Sequence, residues 1–332
     1  MGANISGAVA DGDGDGPPSR PRLGDIPESC AALVLAQLDP PEICKLSRLN
    51  RSFCGASSAD FIWESKLPSN YRFIVEKVLR DTTLLTLQRK ELYARLCRPI
   101  LFDAGTKEIW LDKSTGGVCL SIASKALTIT GIDDRRYWSH ISTEESRCVY
   151  HLASSDFSLC LSIFTSHDSR VKEASNQDSD LRPRSTLAGI PYPTVAYLQQ
   201  IWWFEVDGEL EFQFPAGTYC LFFRLQLGKS SKRLGRRFCN AEHVHGWDIK
   251  PARFQLTTSD GQRAVSQCYL DNPGNWVLYH VGDFIVENPN ALTKIKFSMT
   301  QIDCTHTKGG LCVDTALIYP SSVGKEFRSS CP

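Results

Sequence analysis

The sequence predicts an α+β multidomain protein in which a small helical module precedes an antiparallel β-sandwich with a jelly-roll-like arrangement. Two patterns support this prediction. Apolar residues between positions 23 and 67 recur at the spacing of one helical face, and apolar residues beyond position 200 alternate with polar ones, as in half-buried strands. The strands do not alternate with helices, which argues against a parallel sheet built from βαβ units. Two packed antiparallel sheets are therefore expected.

The composition is that of a globular protein. Of the 332 residues, 42% are hydrophobic and 22% are charged, which excludes the disordered class. The 37 Lys and Arg residues balance the 37 Asp and Glu residues, so no global field draws the protein to nucleic acid. The sequence has neither an apolar run of about 18 residues nor the pattern of a secretory signal. We therefore expect a location in the cytoplasm and/or nucleus.

Residues 1–22 are expected to form a disordered tail. The start matches the pattern M-G-x-x-x-S, which would make Gly2 an N-myristoylation site after removal of Met1. The alternative is a chance match, and a single acyl chain would give only weak membrane association. Residues 11–16 resemble the beginning of a calcium loop, but Arg22 stands where that loop needs a bidentate Glu. No calcium site is expected.

Residues 23–67 contain the cues for three short helices. Pro27 suits the first turn of the first helix. Asp39 and Glu42 predict a capping box at the start of the second. The expected apolar stripes consist of Cys30, Leu33, Val34 and Leu38 in the first helix and Ile43, Leu46, Leu49 and Phe53 in the second. Trp63 lies in the third helix, and about 45 residues can scarcely bury a core of their own.

This stretch resembles an F-box. The similarity lies in Ile26-Pro27, in the run from Val34 to Phe53, and in Asp60-Phe61-Ile62-Trp63. The resemblance implies that the helices bind a Skp-type adaptor, which in turn holds a cullin-based ubiquitin ligase. The candidate adaptor-binding residues are Pro27, Leu38, Pro40, Ile43, Leu46, Phe53 and Trp63. The alternative is an ordinary helical subdomain that packs on the rest of the chain.

A helical connector is expected over residues 68–98, because this stretch is rich in Leu, Lys, Arg and Glu. Short β-prone runs begin after Arg98-Pro99. Beyond residue 200, clear period-two alternation surrounds Phe212, Leu225, Phe254, Phe297 and their neighbours. Asp207-Gly208 is typical of a two-residue type I′ hairpin turn between residues 201–206 and 209–214.

Residues 99–320 resemble the phloem protein 2 family, also called Nictaba-like lectins. The matching phrases are Trp110-Leu111-Asp112-Lys113-Ser114-Thr115-Gly116-Gly117, Thr130-Gly131-Ile132-Asp133-Asp134-Arg135-Arg136-Tyr137-Trp138, Ala196-Tyr197-Leu198-Gln199-Gln200-Ile201-Trp202-Trp203-Phe204-Glu205-Val206 and His245-Gly246-Trp247-Asp248-Ile249-Lys250-Pro251. An F-box before such a domain is the arrangement of plant F-box proteins of this family. The resemblance implies a β-sandwich lectin domain.

The resemblance also suggests a sugar site, since the family's site uses two tryptophans and two carboxylates. Trp138 matches the second tryptophan, whereas Gly131 replaces the first, and Lys294 and Gln301 replace the two acids. Trp138 is therefore the candidate glycan-binding residue, with a core aromatic as the alternative. Classical N-acetylglucosamine oligomers should bind weakly, because a site that hydrogen-bonds hydroxyls loses affinity when its polar partners are absent.

Residues 148–193 depart from the family, where this connection is only a few residues long. Two alternatives remain, a surface loop specific to this lineage or a translated intron. Residues 321–332 are expected to be a short tail.

The sequence contains no complete catalytic, metal-binding or cofactor-binding motif. Gly228-Lys229-Ser230 lacks the first glycine of a phosphate loop, and neither Cys239-to-His245 nor Cys304-to-His306 has paired ligand spacing. The 13 cysteines predict no disulfide framework. Two functions remain: a ligase subunit that selects a protein or glycoprotein substrate, or a phloem or stress lectin that acts without ubiquitination. The F-box favours the first.

Overall fold

The computed structural model describes residues 26–142, 194–233, 236–240 and 243–328. The predictions for residues 1–22, including Gly2, and for residues 148–193 lie outside the described residues.

The N-terminal helical segment, residues 26–97, consists of short helices. They are α1 Glu28–Ala36, α2 Pro40–Leu46, α3 Arg51–Ala56, α4 Asp60–Glu64, α5 Tyr71–Phe73 continued by a π-helical stretch Ile74–Leu79, a 3₁₀ turn Thr82–Thr86, and α6 Arg89–Leu96. The Asn50 side chain caps α3 by accepting a hydrogen bond from the Phe53 amide at 2.9 Å. Helices are thus confirmed both in the predicted module and in the predicted connector.

In this segment the structure shows which side of α1 is packed and corrects the predicted capping box of α2. Helix α1 buries Ala31, Ala32 and Leu35, whereas Leu33 and Val34 face outward. The small alanines let α1 approach its neighbours closely, so the larger side chains lie on the opposite side. The Asp39 side chain makes no capping hydrogen bond to α2. Pro40 occupies the first turn instead, and there it removes an amide that would need a partner.

The β-domain, residues 100–320, contains fifteen strands among the described residues. They are β1 Ile100–Phe102, β2 Lys107–Leu111, β3 Val118–Ala123, β4 Thr128–Ile129, β5 Trp138–Ser142, β6 Thr194–Leu198, β7 Phe204–Phe212, β8 Gly217–Leu227, β9 Lys229–Arg233, β10 Arg236–Asn240, β11 Ala252–Thr258, β12 Arg263–Cys268, β13 Trp276–Val286, β14 Thr293–Gln301 and β15 Leu311–Pro320. All pairings between these strands are antiparallel, as predicted.

The strands form two main sheets and a separate β9–β10 hairpin. In the eight-stranded sheet, β15 pairs with β8 on one side and with both β3 and β6 on the other; β2 and β1 extend from β3, β5 from β6, and β13 from β8. The five-stranded sheet has the order β12-β11-β14-β7-β4. Phe223 of the first sheet contacts Phe297 of the second with ring centroids 5.6 Å apart. This aromatic layer is the core of the sandwich.

The predicted hairpin at Asp207-Gly208 is wrong, because β7 runs straight through both residues. A side chain at Gly208 would place its Cβ 2.3 Å from the Phe297 ring and 2.8 Å from Leu127. Glycine is therefore present to admit a neighbouring ring rather than to form a turn.

The predicted C-terminal tail contains helix α7, Ser321–Arg328. Its Val323 and Phe327 pack on a small apolar cluster on the outer face of the eight-stranded sheet, with Phe327 5.1 Å from Tyr319 between ring centroids. The spacing of these two apolar residues, four positions apart, was the sequence signal for this helix.

The helical segment and the β-domain share one continuous apolar core. The Phe73 ring lies 5.5 Å from the Phe212 ring, and the Asn70 side-chain amide donates to the Gln213 carbonyl at 2.5 Å. The Tyr93 ring packs against Trp63 within the helical segment, with ring centroids 5.3 Å apart. The Tyr93 hydroxyl donates to the Lys113 carbonyl of the β-domain at 3.2 Å. The helices consequently have a fixed orientation on the sandwich.

Candidate functional site

The candidate adaptor-binding residues divide into two groups. Ile43, Phe53 and Trp63 are buried in the core of the helical segment, and Pro40 is also buried. The Trp63 indole donates to the Ser57 carbonyl at 2.7 Å. These four residues build the helical scaffold and do not present their side chains to solvent.

Pro27 is exposed, whereas Leu38 and Leu46 are partly buried against the core. The larger apolar surface comes from side chains that are not among the candidate adaptor-binding residues, although Leu33, Val34 and Leu49 belong to the apolar stripes of the sequence. Leu33, Val34, Leu49 and Phe61 are each more than half exposed. The sequence signal for α1 was the pair Ala31-Ala32 directly before Leu33-Val34, since the small residues mark the packed side.

Trp138 does not offer a face to a sugar. Only 2% of its surface is exposed, its indole donates to the Thr130 carbonyl at 2.9 Å, and its ring lies 6.3 Å from Phe204. The glycan-binding prediction for Trp138 is therefore contradicted by its burial, and the alternative of a core aromatic describes it correctly.

Of the other positions of the family's sugar site, Gly131 lies beside Trp138, where a Cβ added to it would be 4.0 Å from the indole nitrogen, whereas Lys294 and Gln301 lie far apart on β14. Lys294 lies at the start of β14 and forms an ion pair with Glu209 at 3.2 Å. Gln301 lies at the other end of β14, buried, where its amide donates to the Lys250 carbonyl at 2.5 Å. Gly131 adopts a left-handed backbone with φ of 73°. Seven residue steps of about 3.4 Å put Lys294 and Gln301 roughly 24 Å apart.

A polar groove crosses the outer face of the five-stranded sheet, with a volume of about 390 Å³. Its lining residues are Ala126, Thr128, Asp207, Gly208, Glu209, Gln255, Leu256, Thr257, Lys296, Phe297 and Ser298. Strand register arranges the polar ones in rows, in which Ser298 lies between Asp207 and Gln255, and Lys296 lies between Glu209 and Thr257. Carboxylates, hydroxyls, an amide and an ammonium therefore face the same space.

The groove is chemically suited to a ligand rich in hydroxyl groups. Burial, and then the nearby Glu205 carboxylate, raise the pKa of Asp207 above its usual value. The carboxylates accept hydrogen bonds, Lys296 donates them, and the hydroxyls of Thr128 and Ser298 can do both. No group of three potential metal ligands was found among the described residues.

At one end of the sandwich, three loops meet around the buried side chain of Lys308. Its ammonium group donates to the carbonyls of Trp202, Gln301 and Asp303 at 2.7, 2.8 and 2.9 Å. The side chains of Trp202, Ile249 and Ile302 project from this end and are 53%, 53% and 48% exposed.

No helix in the described part of the chain is long and apolar enough to span a membrane.

Comparison with known proteins identifies the family. The chain is 59% identical over 333 residues to F-box protein PP2-A13 of Arabidopsis thaliana, an alignment that covers 99% of this chain and 100% of that protein. This chain belongs to the family of plant F-box proteins with a phloem protein 2 domain. F-box protein PP2-A12 of the same plant is 54% identical over 310 residues, covering 93% of this chain and 91% of that protein.

The family model for phloem protein 2 matches residues 181–320. The described part of that match contains the polar groove, apart from Ala126 and Thr128, and the loops around Lys308. Among solved structures, TmCBM61 in complex with β-1,4-galactotriose is similar at a TM-score of 0.27 and 12% identity, over 59% of this chain and 88% of that one. A similarity of that size carries no argument about the ligand.

Proposed function

We propose that this F-box protein is a non-catalytic, substrate-recognition subunit of a Skp–cullin–F-box ubiquitin ligase. In this proposal the helical segment binds a Skp-type adaptor, and the phloem protein 2 domain selects a protein or glycoprotein substrate. The observation that carries it is the exposure of Leu33, Val34 and Leu49 on a helical segment whose core is otherwise closed. Large apolar side chains on an otherwise packed module favour a protein interface.

The energetics agree with such an interface. Complete burial of a Leu or Val side chain contributes about 1.5–3 kcal/mol. Burial of Leu33, Val34 and Leu49 by a partner would thus contribute several kcal/mol before the cost of association is subtracted. Ile43 and Trp63 act indirectly in this proposal, because they hold the helices that present the exposed residues.

The first prediction tests this interface. Replacing Leu33 and Val34 together by Ser should weaken binding of the purified full-length protein to a purified Skp-type adaptor at least 100-fold, measured by calorimetry. Both side chains face solvent, so thermal unfolding of the free protein should change little. Val265→Ser is the matched control, since Val265 is equally exposed on β12. Wild-type affinity in the double variant would place the adaptor interface elsewhere.

The Leu38→Ala and Pro40→Ala substitutions are less clean tests. Pro40 is buried and begins α2, so its removal perturbs the fold as well as the surface. Loss of adaptor binding in Pro40→Ala would support the proposed interface only if its thermal unfolding is the same as that of the wild type.

For the substrate side, the polar groove supports recognition of a glycan on a glycoprotein. Asp207→Asn should reduce binding on a glycan array, because the carboxylate loses acceptor capacity toward sugar hydroxyls. Asp271→Asn, an exposed carboxylate outside the groove, is the control. Glycan binding without ligase assembly would instead support a lectin that acts without ubiquitination.

Localisation in the cytoplasm and/or nucleus, and weak membrane association through Gly2, remain predictions. Incorporation of an alkyne-labelled myristate into the wild type but not into Gly2→Ala would establish the acylation. Absence of label in both proteins would assign the pattern to chance.

A further inference from the structure

A second exposed apolar surface lies far from the helices and is built from three separate loops. We name it the Trp202 patch, defined by Trp202, Ile249 and Ile302, all about half exposed. Scattered apolar side chains are ordinary on a protein surface, whereas apolar side chains gathered in one place mark an interaction site. The contacts around Lys308 provide the evidence that these three are gathered.

Lys308 ties the loops together. Its ammonium group donates to the carbonyls of Trp202, Gln301 and Asp303, so the backbone at Trp202 and the backbone on both sides of Ile302 meet at one buried group. The Gln301 side-chain amide donates to the carbonyl of Lys250, which places the neighbouring Ile249 beside the other two. The Lys308 side chain is itself fully buried beneath them.

The patch is rigid because the backbone around Lys308 is also paired. Ile201 and Lys308 exchange two backbone hydrogen bonds of 2.9 Å, and the Trp247 indole donates to the Gly309 carbonyl at 2.8 Å. Loops held in this way lose little conformational freedom when a partner binds. Such preorganisation lowers the entropic cost of association.

The patch lies at the opposite end of the sandwich from the helical segment. Strand β7 begins at Phe204, two residues after Trp202, and ends at Phe212, which contacts Phe73 of the helices. Eight residue steps of about 3.4 Å separate the strand ends by roughly 27 Å. A molecule bound at the patch would therefore not compete with an adaptor bound on the helices.

The charges around the patch select the kind of partner. Asp248 is exposed beside Ile249, Asp303 follows Ile302, and Glu205 accepts a hydrogen bond from the Trp203 indole at 3.2 Å. Lys250 lies 4.0 Å from Asp303 and offsets one of these carboxylates. This rim repels the anionic headgroups of a membrane and attracts basic side chains.

We propose that the Trp202 patch docks a segment of the ubiquitination substrate that carries apolar side chains flanked by Lys or Arg. The inference rests on the proposed ligase function and adds to it a second contact, separate from the groove. Trp202 would be the anchor, since tryptophan is enriched among residues that dominate binding energy.

The test uses the full-length protein bound to its adaptor and a set of synthetic 12-residue peptides. Each peptide carries a Leu and a Phe three positions apart, flanked by Arg and Lys, by Asp and Glu, or by Ser and Gly. Fluorescence anisotropy should show binding of the basic-flanked peptides, weakened at least tenfold by Trp202→Ala or Ile302→Ser. Val265→Ala on β12 should leave binding unchanged.

Two further arms make the result decisive. Asp303→Asn should weaken the basic-flanked peptides several-fold and reduce the salt dependence of their binding, with the fold kept intact. All variants should bind the adaptor like the wild type, which separates failure of this inference from failure of the ligase proposal. Absence of any anchor-dependent peptide binding would overturn the inference. Trp202-dependent binding to phosphatidylserine vesicles, or Trp202-dependent self-association in sedimentation, would overturn it in favour of a membrane or a second copy.

Discussion

At the scale of single residues, Trp138 stabilises the fold. It fills space beside Phe204, and its indole hydrogen satisfies the Thr130 carbonyl within the protein. A buried aromatic of this size contributes through packing, and its removal leaves a cavity that the surroundings fill only in part.

Trp138→Ala should accordingly lower the free energy of unfolding by about 3–5 kcal/mol. Trp138→Phe should cost less, because it retains most of the volume but leaves the Thr130 carbonyl without its indole donor. Urea denaturation followed by circular dichroism would measure both. Unchanged stability together with a specific loss of sugar binding would contradict the structural role given to this residue.

Glu108 and Asp314 make stability depend on pH. Burial raises the pKa of Glu108 from 4.5 to about 7, and burial, partly offset by Arg224, raises that of Asp314 from 3.8 to about 6. A carboxyl whose pKa is higher in the folded state favours folding when protonated. Its contribution is complete below the unfolded pKa and is lost as pH rises through the folded value.

Stability should therefore fall as pH rises from about 4.5 to 7, with Glu108 accounting for up to about 3 kcal/mol. Glu108→Gln should remove most of that slope and be more stable than the wild type at pH 8. Urea denaturation at several pH values would show this, with the exposed Glu211→Gln as control. An unchanged slope in Glu108→Gln would mean that this carboxyl does not titrate in that range.

At the scale of elements, strand β7 depends on the absence of a side chain at one position. Phe297 of the neighbouring strand occupies the space beside Gly208, so any larger residue there forces the neighbouring side chains to shift. Gly208→Ala should lower the free energy of unfolding by about 1–3 kcal/mol through overpacking.

Gly55→Ala in α3 is the matched comparison. The atoms that meet its added Cβ belong to the end of the flexible Glu28 side chain, which can move aside. Alanine is also the better helix former, by roughly 1 kcal/mol. Thermal unfolding should thus separate the two glycines, and equal effects would contradict the packing argument for Gly208.

The same elements indicate what a sequence can predict. Alternation around Phe254 and Phe297 identified real strands, because a half-buried sheet imposes period two wherever one face is buried. Asp207-Gly208 gave a wrong turn prediction, because the glycine is needed to make room for the Phe297 ring, which comes from a strand about 90 residues later. For α1 the sequence located an apolar stripe but not the packed side, because apolar periodicity does not distinguish a face that packs inside from one that binds a partner.

The candidate site was less predictable than the fold. The sequence around Trp138 matches the family motif, but the burial of Trp138 depends on its contacts with Phe204 and Thr130. The local sequence does not predict these contacts. The Trp202 patch depends on Lys308, which is 106 positions from Trp202 in the chain. A fully buried lysine is seldom expected from sequence.

At the scale of the whole molecule, the helical segment and the β-domain should unfold together. Phe73 contacts Phe212 across their boundary, and Asn70 and Tyr93 add hydrogen bonds to β-domain carbonyls. Phe73→Ala should lower the free energy of the single unfolding transition that both parts share by about 2–4 kcal/mol. Hydrogen exchange followed at amides of α6 and β14 would detect a common opening. Two independent transitions in the wild type would contradict a single cooperative unit.

The shared core also limits how this protein can be rearranged. Cutting the chain near residue 98 would strip Phe73 and Tyr93 from the sandwich and leave the apolar ring of Phe212 and the Lys113 carbonyl open to water. The helical segment therefore does not behave as a cassette that can be exchanged by joining sequences near residue 98. A chimera built from this protein would need the complementary surface of the sandwich to be transplanted with the helices, or redesigned to receive new ones.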